Sequence, residues 1–186
     1  YEETLQGIED GHIHATVVQK PYVFGYESVK LLAQRARNPK AGLPSDVKEG
    51  IWHIPHRVIK KADVAAFRDE LKGLKDKAKG DDPTGDITIA FVSNNAEDFW
   101  TFAEAGAKVV AREEKVKLEF RKPKTGSVKE QNDIIEDLVG KVKGIAVSVN
   151  EPESQKDFLD KIAGQVNLIT VDNDAPGTKR LCYIGT

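Results

Sequence analysis

The chain has 186 residues and a formal net charge of −2 at pH 7, with 39% hydrophobic and 31% charged residues. This length suits one α/β domain or two very small ones, and the charge gives no reason to expect nucleic acid or a membrane surface as partner. No apolar run approaches the roughly 20 residues of a membrane span, and the acidic start YEETLQGIED lacks the apolar stretch of a signal peptide.

The first part of the chain predicts a helix, a strand and a second helix. Residues 2–10 have the pattern of a short helix, and the β-branched run 13–19 predicts a strand. Pro21 and Gly25 break the pattern before a helix that ends near residue 37.

A loop, an extended segment and an amphipathic helix follow. Pro, Gly, Asn and Asp predict a loop over 38–46, and residues 50–60 have the pattern of extended chain. Pro55 places that segment at a sheet edge or in an irregular strand, because Pro cannot donate to a ladder. Apolar residues at helical spacing predict a helix over 62–79, with Asp63 as its N-cap.

Residues 80–86, GDDPTGD, form a polar break, after which strands and helices alternate regularly. The predicted strands are ITIAFVS, VKLEFRKP, KGIAVSV, NLITVD and LCYIGT. Ser127 and Glu130 have capping-box spacing at the start of the helix after the second of these strands. The alternation predicts an α/β fold of three αβα layers, flavodoxin-like, with a mostly parallel sheet.

Amides, carboxylates and aromatics follow the predicted strands, at the edge where open parallel sheets bind ligands. The strand-end residues are Gln19, Ser93, Asn94, Asn95, Phe99, Trp100, Arg121, Asn150, Asp172, Asn173 and Asp174. Amides and carboxylates hydrogen-bond at fixed geometry, and an aromatic face covers C–H groups. The edge therefore suits a small polyhydroxylated ligand better than a phosphate or a hydride carrier.

Each of these residues also has a purely structural interpretation. Asn94 and Asn95 fit the role of caps for the following helix, and Asp172 fits a turn. Phe99 and Trp100, with the nearby Phe102, fit a helix core, although three aromatics within four positions cannot share one core stripe. At least one of them is therefore expected to point toward the strand ends.

Several other kinds of site are not indicated. No G-x-G-x-x-G, P-loop or G-x-S-x-G pattern is present, so no cofactor is expected. The pairs His12/His14 and His53/His56 have no evident third ligand, so no metal is expected. Cys182 is the only cysteine and lies in LCYIG, which predicts a buried, inert thiol. An enzyme would need a cluster such as Asp172, Asp174 and Arg121, which is a poor catalytic set.

The second half of the chain resembles a known family. ITIAFVSNNAEDFWTFAEAGAK, KEQNDIIEDLVGKVKGIAVSVNEPES and NLITVDNDAP, taken together, resemble the N-terminal lobe of periplasmic sugar-binding proteins of the ribose-binding type. That family includes the sensor cores of the lactose-repressor class.

The first half resembles the far end of the same family. LQGIEDGHIHATVVQKPYVFGYESVKLLAQ is similar to the segment in which the chain returns from the second lobe, and IPHRVIKKADVAAF to the closing strand and C-terminal helix. The resemblance thus implies a circularly permuted single domain, 1–186. Residues 1–79 would be the family's C-terminal segments, 80–86 the joint, and 87–186 the N-terminal lobe. The family's second lobe has no counterpart in these residues.

The resemblance also implies a function and a set of site residues. Such receptors bind a small sugar or polyol between two lobes outside the cytoplasm and present the closed form to an ABC transporter or sensor, without catalysis. By position, the sugar-contacting residues would be Ser93, Asn94, Asn95, Phe99 or Trp100, Asp172, Asn173 and Gln19. Glu97 and Asp98 depart from the Asn and Pro frequent in the family, which leaves the sugar unassigned.

A single lobe is expected to bind sugar weakly and to expose its cleft face to a second lobe or to another copy. The absence of Met and of a signal peptide leads us to expect a processed, trimmed or engineered chain. We expect it to be soluble and to be produced by recombinant expression in the cytoplasm. The alternatives are an engineered folding scaffold without binding activity, or a flavodoxin-like enzyme or signalling domain.

Overall fold

A computed structural model describes residues 1–186. The helices are α1 (Glu2–Glu9), α2 (Pro21–Arg37), α3 (Val64–Lys77), α4 (Phe99–Glu113), α5 (Val128–Leu138) and α6 (Pro152–Ala163). The strands are β1 (Ala15–Val18), β2 (Val47–Lys48), β3 (Ile51–His53), β4 (Arg57–Lys60), β5 (Thr88–Val92), β6 (Lys117–Arg121), β7 (Gly144–Val147), β8 (Asn167–Val171) and β9 (Tyr183–Gly185).

The main sheet has seven strands in the order β2-β3-β9-β8-β7-β5-β6. Every neighbouring pair is parallel except the short β2-β3 hairpin. The central strands β5, β7 and β8 are apolar and almost wholly buried, as expected of strands covered on both faces. The predicted α/β alternation and mostly parallel sheet are therefore confirmed.

Helices cover both faces of this sheet and form two separate hydrophobic cores. The core beneath α2 and α4 contains Phe91 and Ile169 of the sheet, whereas the core beneath α5 and α6 contains their strand neighbours Val92 and Leu168. Successive strand residues point to opposite faces, so each strand contributes to both cores. This arrangement is the three-layer αβα sandwich predicted from the sequence.

Helices α2 and α4 approach each other closely at two glycines. A Cβ on Gly25 would overlap the backbone carbonyl of Ala103, and one on Gly106 would overlap that of Tyr22. The prediction that Pro21 and Gly25 precede the helix is wrong: Pro21 occupies its first turn and Gly25 lies inside it. Gly25 is tolerated there because close helix packing requires a residue without a Cβ.

A two-stranded ribbon lies outside the main sheet. β1 and β4 pair antiparallel and, with α1 and α3, enclose a small core of six buried residues. The predicted extended segment 50–60 is thus divided on either side of Pro55, because β3 joins the main sheet and β4 joins the ribbon. Asp63 stands at the N-cap position of α3 but makes no capping bond there. Its carboxylate instead accepts from the backbone N–H of Lys60 at 3.0 Å.

Arg112 of α4 fixes the start of the polar break between α3 and β5. Its guanidinium donates to the carbonyl oxygens of Lys77 at 2.7 Å, Ala78 at 3.2 Å and Asp81 at 3.4 Å. It therefore satisfies carbonyls at the end of α3 that have no intrahelical partner. None of the helices has the length and apolarity needed to cross a bilayer.

The capping box predicted at α5 forms only in part. The Ser127 hydroxyl accepts from the backbone N–H of Glu130 at 3.2 Å. The Glu130 carboxylate accepts from the N–H groups of Lys124 and Thr125, each at 2.8 Å, instead of returning to Ser127.

Candidate functional site

The carboxyl ends of β5, β7 and β8 meet at one edge of the sheet and carry most of the predicted site residues. The chain passes from β5 to β6 on one side and then to β7 on the other, so a topological switch lies at β5. Open α/β sheets bind ligands at such a switch. Asn94 and Asn95 follow β5, Asn150 follows β7, and Asp172 follows β8.

Asp172 is the half-buried carboxylate of this edge. Its backbone has a φ of 62°, in the left-handed region that Asp tolerates better than most residues. Its N–H donates to the Ile184 carbonyl at 2.9 Å, and its own carbonyl accepts from the Tyr183 hydroxyl at 2.8 Å. The backbone is thus held from two directions, which fixes where the carboxylate points.

Gln19 lies beside this carboxylate, although it comes from the ribbon and not from the main sheet. Burial raises the pKa of the Asp172 carboxyl, and the neighbouring Gln19 side chain opposes that shift. Tyr1 is also near: burial raises the pKa of its hydroxyl, and the Asp172 charge raises it further. The first part of the chain therefore contributes directly to the Asp172 environment.

Asn95 and Phe99 lie at the same edge after β5 and are only partly buried. The Asn95 Oδ1 accepts from the Glu97 N–H at 2.9 Å, which closes a short Asx turn. The Phe99 ring stands edge-on to Trp100, with ring centroids 4.9 Å apart. Phe99 is thus the aromatic of the predicted set that keeps accessible surface.

Of the two aromatics named as a possible sugar contact, Trp100 is the one that the fold buries. Trp100 is 1% exposed and belongs to the core beneath α4. Its indole N–H donates to the Asn94 Oδ1 at 3.0 Å, so these two predicted ligand residues satisfy each other. Burial of a large aromatic body stabilises the fold, and its polar N–H requires a partner, which Asn94 provides.

Ser93 and Asn173 also hold the strand ends together. Ser93 is fully buried, and its hydroxyl donates to the Asn95 carbonyl at 2.6 Å, which closes a turn at the end of β5. The Asn173 side chain donates to the Val149 carbonyl at 2.5 Å, and its own carbonyl accepts from the Val149 N–H at 3.2 Å. Both residues therefore shape the edge instead of facing outward.

Three amides outside the predicted sugar-contacting set organise this edge from below. Gln131 is fully buried and donates to the carbonyls of Ser93 at 2.9 Å and Ser148 at 2.7 Å. Its Oε1 accepts from Gln155 at 3.0 Å and from the Asn150 N–H at 3.2 Å. Asn150 in turn donates from its side chain to the Asn94 carbonyl at 3.1 Å and to that of Gly126.

A sequence signal for two of these amides exists. Gln131 is buried with Ile135 and Leu138 on α5, and Gln155 is buried with Leu159 and Ile162 on α6. Each glutamine thus opens an apolar stripe with i, i+4, i+7 spacing. A polar residue at a core position of this kind indicates a buried hydrogen-bond network.

The alternative catalytic set is not assembled. Asp174 is bound bidentately by Arg180 at 2.6 and 2.7 Å, and Arg121 pairs with Glu119 at 2.6 Å. Arg121 ends β6, which is separated from β8 by β7 and β5. Cys182 is fully buried, and burial raises the pKa of its thiol to about 11. It is therefore an inert thiol at neutral pH, as predicted.

The histidines do not assemble a metal site. His12, His14, His53 and His56 are all exposed. No three His, Cys, Asp or Glu side chains converge in an arrangement that could hold a metal ion.

An αβα lobe with polar side chains gathered at its strand ends defines a class of small-molecule binding domains. Residues 89–186 match the family described as the periplasmic binding protein domain. Because this match spans more than half of the chain, the protein belongs to the periplasmic binding protein family. No curated protein matches the chain significantly.

Two solved structures resemble the chain over part of its length. One is an ABC transporter solute-binding protein from Burkholderia graminis C4D1M in complex with D-arabinose, with 34% identity and a TM-score of 0.53 over 58% of this chain and 37% of that chain. The other is a sugar-binding protein of a sugar ABC transporter from Bacillus halodurans, with 22% identity and a TM-score of 0.50 over 55% of this chain and 36% of that chain. The matched region thus spans well under half of either protein.

Proposed function

We propose that these 186 residues form one lobe of a solute-binding receptor for a small sugar or polyol. The observation that carries the proposal is Asp172, a half-buried carboxylate held at the end of β8 beside the Gln19 amide. The family match and the D-arabinose bound to the Burkholderia protein support the choice of ligand class.

The proposed wall consists of Asp172, Gln19, Asn95 and Phe99. A carboxylate accepts hydrogen bonds from two sugar hydroxyls, and charge-assisted bonds of this kind are the stronger ones. The Gln19 and Asn95 amides orient neighbouring hydroxyls, and the Phe99 face covers C–H groups. Ser93, Asn94, Trp100 and Asn173 support this wall from behind. Reversible binding breaks no covalent bond, so the proposal needs no catalytic residue.

We further infer that the lobe is circularly permuted relative to its family. Residues 1–79 supply the family's C-terminal segments, 80–86 the joint and 87–186 the N-terminal lobe. Two contacts between the parts favour this arrangement: β3 extends the sheet beside β9 with Trp52 opposite Ile184, and α2 covers the face that β5, β7 and β8 share with α4.

The permutation is tested by a chain in which residues 87–186 precede residues 1–79 through a new linker. We expect the same circular dichroism and one cooperative unfolding transition, with a Trp52–Ile184 cross-strand contact detectable by NMR. An unfolded or aggregated product that no linker length rescues would contradict the proposed order.

Binding by this lobe alone is expected to be weak. Each hydrogen bond nets only about 0.5–1.5 kcal/mol against water, and association costs at least several kcal/mol. Two to four bonds on one wall therefore give a Kd of roughly millimolar or worse. Exclusion of water by a second lobe, or by another copy on this face, would strengthen every contact.

Isothermal titration calorimetry with D-arabinose tests the function. We expect weak heats that Asp172→Asn abolishes, whereas the exposed-site control Asp157→Asn leaves them unchanged. Micromolar binding by the monomer would contradict the single-lobe proposal. No heat at any sugar concentration would favour a folding scaffold without binding activity.

A further inference from the structure

We propose that a cavity between the β1-β4 ribbon and helices α2, α3 and α4 is a second site, which takes one small, neutral, single-ring aromatic molecule. The cavity has a volume of about 110 Å³. It lies where the small core of the ribbon meets the helices over the main sheet. Its lining includes neither Asp172, Asn95 nor Phe99, so it is independent of the proposed sugar wall except at Gln19.

The walls are predominantly apolar and come from elements far apart in the chain. The end of β1 contributes Val18, α3 contributes Phe67, Leu71 and Leu74, and α4 contributes Phe102. Val18 is 4% exposed and Phe67 and Phe102 are each 5% exposed. The cavity is therefore walled on one side by interior side chains, whereas Tyr1, which is 41% exposed, leaves it partly open to solvent on the other.

Three aromatic rings define the shape of the cavity. The Tyr1 ring stands edge-on to Phe67, with centroids 6.3 Å apart, and to Phe102, with centroids 5.9 Å apart. Aromatic pairs prefer this perpendicular arrangement because ring edges and faces carry opposite partial charge. A planar guest of similar ring size has both ring edges and ring faces to pack against.

The size and polarity of the cavity select the guest. An apolar cavity of about 150 Å³ engineered in another protein stays dry and binds benzene. A cavity somewhat smaller than that admits one ring and excludes fused rings. Most of the lining residues are hydrophobic, so the cavity offers an apolar ring more contacts than it offers an ordered water, which needs two to four polar partners.

The rim of the cavity explains why the guest is neutral. Arg57 and Glu70 both line it and pair with each other at 2.6 Å. The Arg57 guanidinium also lies 5.5 Å from the Phe67 ring centroid. The Arg57 and Glu70 charges already have partners, and Lys20 also lines the cavity. A charged guest would lose its hydration against the mostly apolar walls. Phenol, a neutral molecule with a single aromatic ring, is therefore a suitable probe.

The site is tested by titrating the 186-residue protein with phenol and recording ¹³C-methyl and ¹H–¹⁵N NMR spectra. We expect saturable shifts with one phenol per chain, and nuclear Overhauser contacts from phenol protons to Leu74 and Phe102. Leu74→Phe places an extra ring at the cavity and should weaken phenol binding at least tenfold. The same substitution at Leu43, which is exposed and does not line the cavity, should leave binding unchanged.

The outcomes separate this site from the sugar wall. D-arabinose should not displace phenol, and Asp172→Asn should not weaken phenol binding. Absence of saturable phenol binding would overturn the proposal, as would equal affinity of the Leu74→Phe and Leu43→Phe variants. If Leu74→Phe does not fold, Overhauser contacts from wild-type Leu74 and Phe102 decide, and phenol contacts elsewhere would refute the site.

Discussion

The Gln19 side chain lies close enough to the Asp172 carboxylate to lower its pKa, although Gln19 follows β1 of the ribbon and Asp172 follows β8 of the main sheet. The two parts of the chain therefore meet at a half-buried carboxylate of the strand-end edge. Burial of a carboxylate favours its protonated form, so Asp172 has an effect on stability that depends on pH.

The free energy of unfolding of Asp172→Asn, measured relative to that of wild type, should increase as the pH rises. The raised pKa means that the folded state binds this proton more tightly than the unfolded state does. The resulting stabilisation is complete below the unfolded pKa of about 3.9 and is lost as pH rises through the raised pKa. Asn at this position does not titrate, so the variant does not lose stability in this way as the pH rises. Asn also tolerates the left-handed backbone conformation of residue 172. Urea unfolding from pH 3 to 7 measures the difference.

Asp174→Asn is the matched control with the opposite sign. Burial acts to raise the pKa of Asp174, but bonds from Arg180 and Thr170 outweigh it and hold that pKa below its usual value. Its stabilisation is present at neutral pH and disappears as pH falls through the lowered pKa. The variant should therefore be less stable than wild type at pH 7 and should approach it in acid. Parallel trends for the two variants would contradict these assignments.

Gln131→Leu should destabilise the protein by about 2–4 kcal/mol. The change leaves the buried carbonyls of Ser93 and Ser148 without this donor and removes the acceptor for Gln155, and unsatisfied buried groups cost about 1–3 kcal/mol each. Chemical unfolding measures the loss. Gln34→Leu, on the exposed side of α2, should change stability by less than about 0.5 kcal/mol. Equal effects would show that the network does not stabilise the strand ends.

Gly25→Ala should destabilise by about 2–4 kcal/mol, because its Cβ would overlap the Ala103 carbonyl and force α2 away from α4. Gly73 provides the contrast: it lies inside α3, and a Cβ there meets nothing within 4 Å. Gly73→Ala should stabilise by roughly 0.5–1 kcal/mol through helix propensity. Thermal unfolding of both variants gives the comparison, and the same sign for both would rule out the close contact.

Arg112→Met should loosen the start of the 80–86 segment, because two carbonyls at the end of α3 and the Asp81 carbonyl within the segment lose their donor. We expect faster proteolytic cleavage there and a loss of about 1–2 kcal/mol of stability. Arg121→Met removes an exposed pair with Glu119 and should cost at most about 1 kcal/mol. Unchanged cleavage in Arg112→Met would mean that the segment is held by other contacts.

The αβα architecture could be predicted from the sequence because apolar runs such as IAFV and IAVSV mark strands that are covered on both faces. Helix propensity disfavours Gly within a helix, so local pattern places Gly25 outside α2. The close packing against Ala103 that overrides this preference is a tertiary contact. Local preference also predicts Asp63 as the N-cap of α3. Its carboxylate instead accepts a hydrogen bond from the Lys60 N–H in the preceding turn.

Sequence pattern gathers the candidate residues at the strand-end edge of the sheet, where the fold also places them, but it does not show which of them face outward. Position after a strand locates Asn94 and Trp100 near the site, but only the fold shows that they bond each other. Conversely, Gln131 lies within a predicted helix and reaches the strand ends through tertiary contacts. Which side chains face a ligand and which support the edge thus depends on packing that local pattern does not encode.

The most direct test of the proposed wall is a ¹H–¹⁵N NMR titration of the 186-residue protein with D-arabinose up to several hundred millimolar. We expect fast-exchange shifts, with a Kd of roughly millimolar or weaker, concentrated at Gln19, Asn95, Phe99 and Asp172. Asp172→Asn should remove them, and Asp157→Asn should not. Shifts concentrated on another face of the lobe, or the same shifts in the Asp172→Asn variant, would contradict the account.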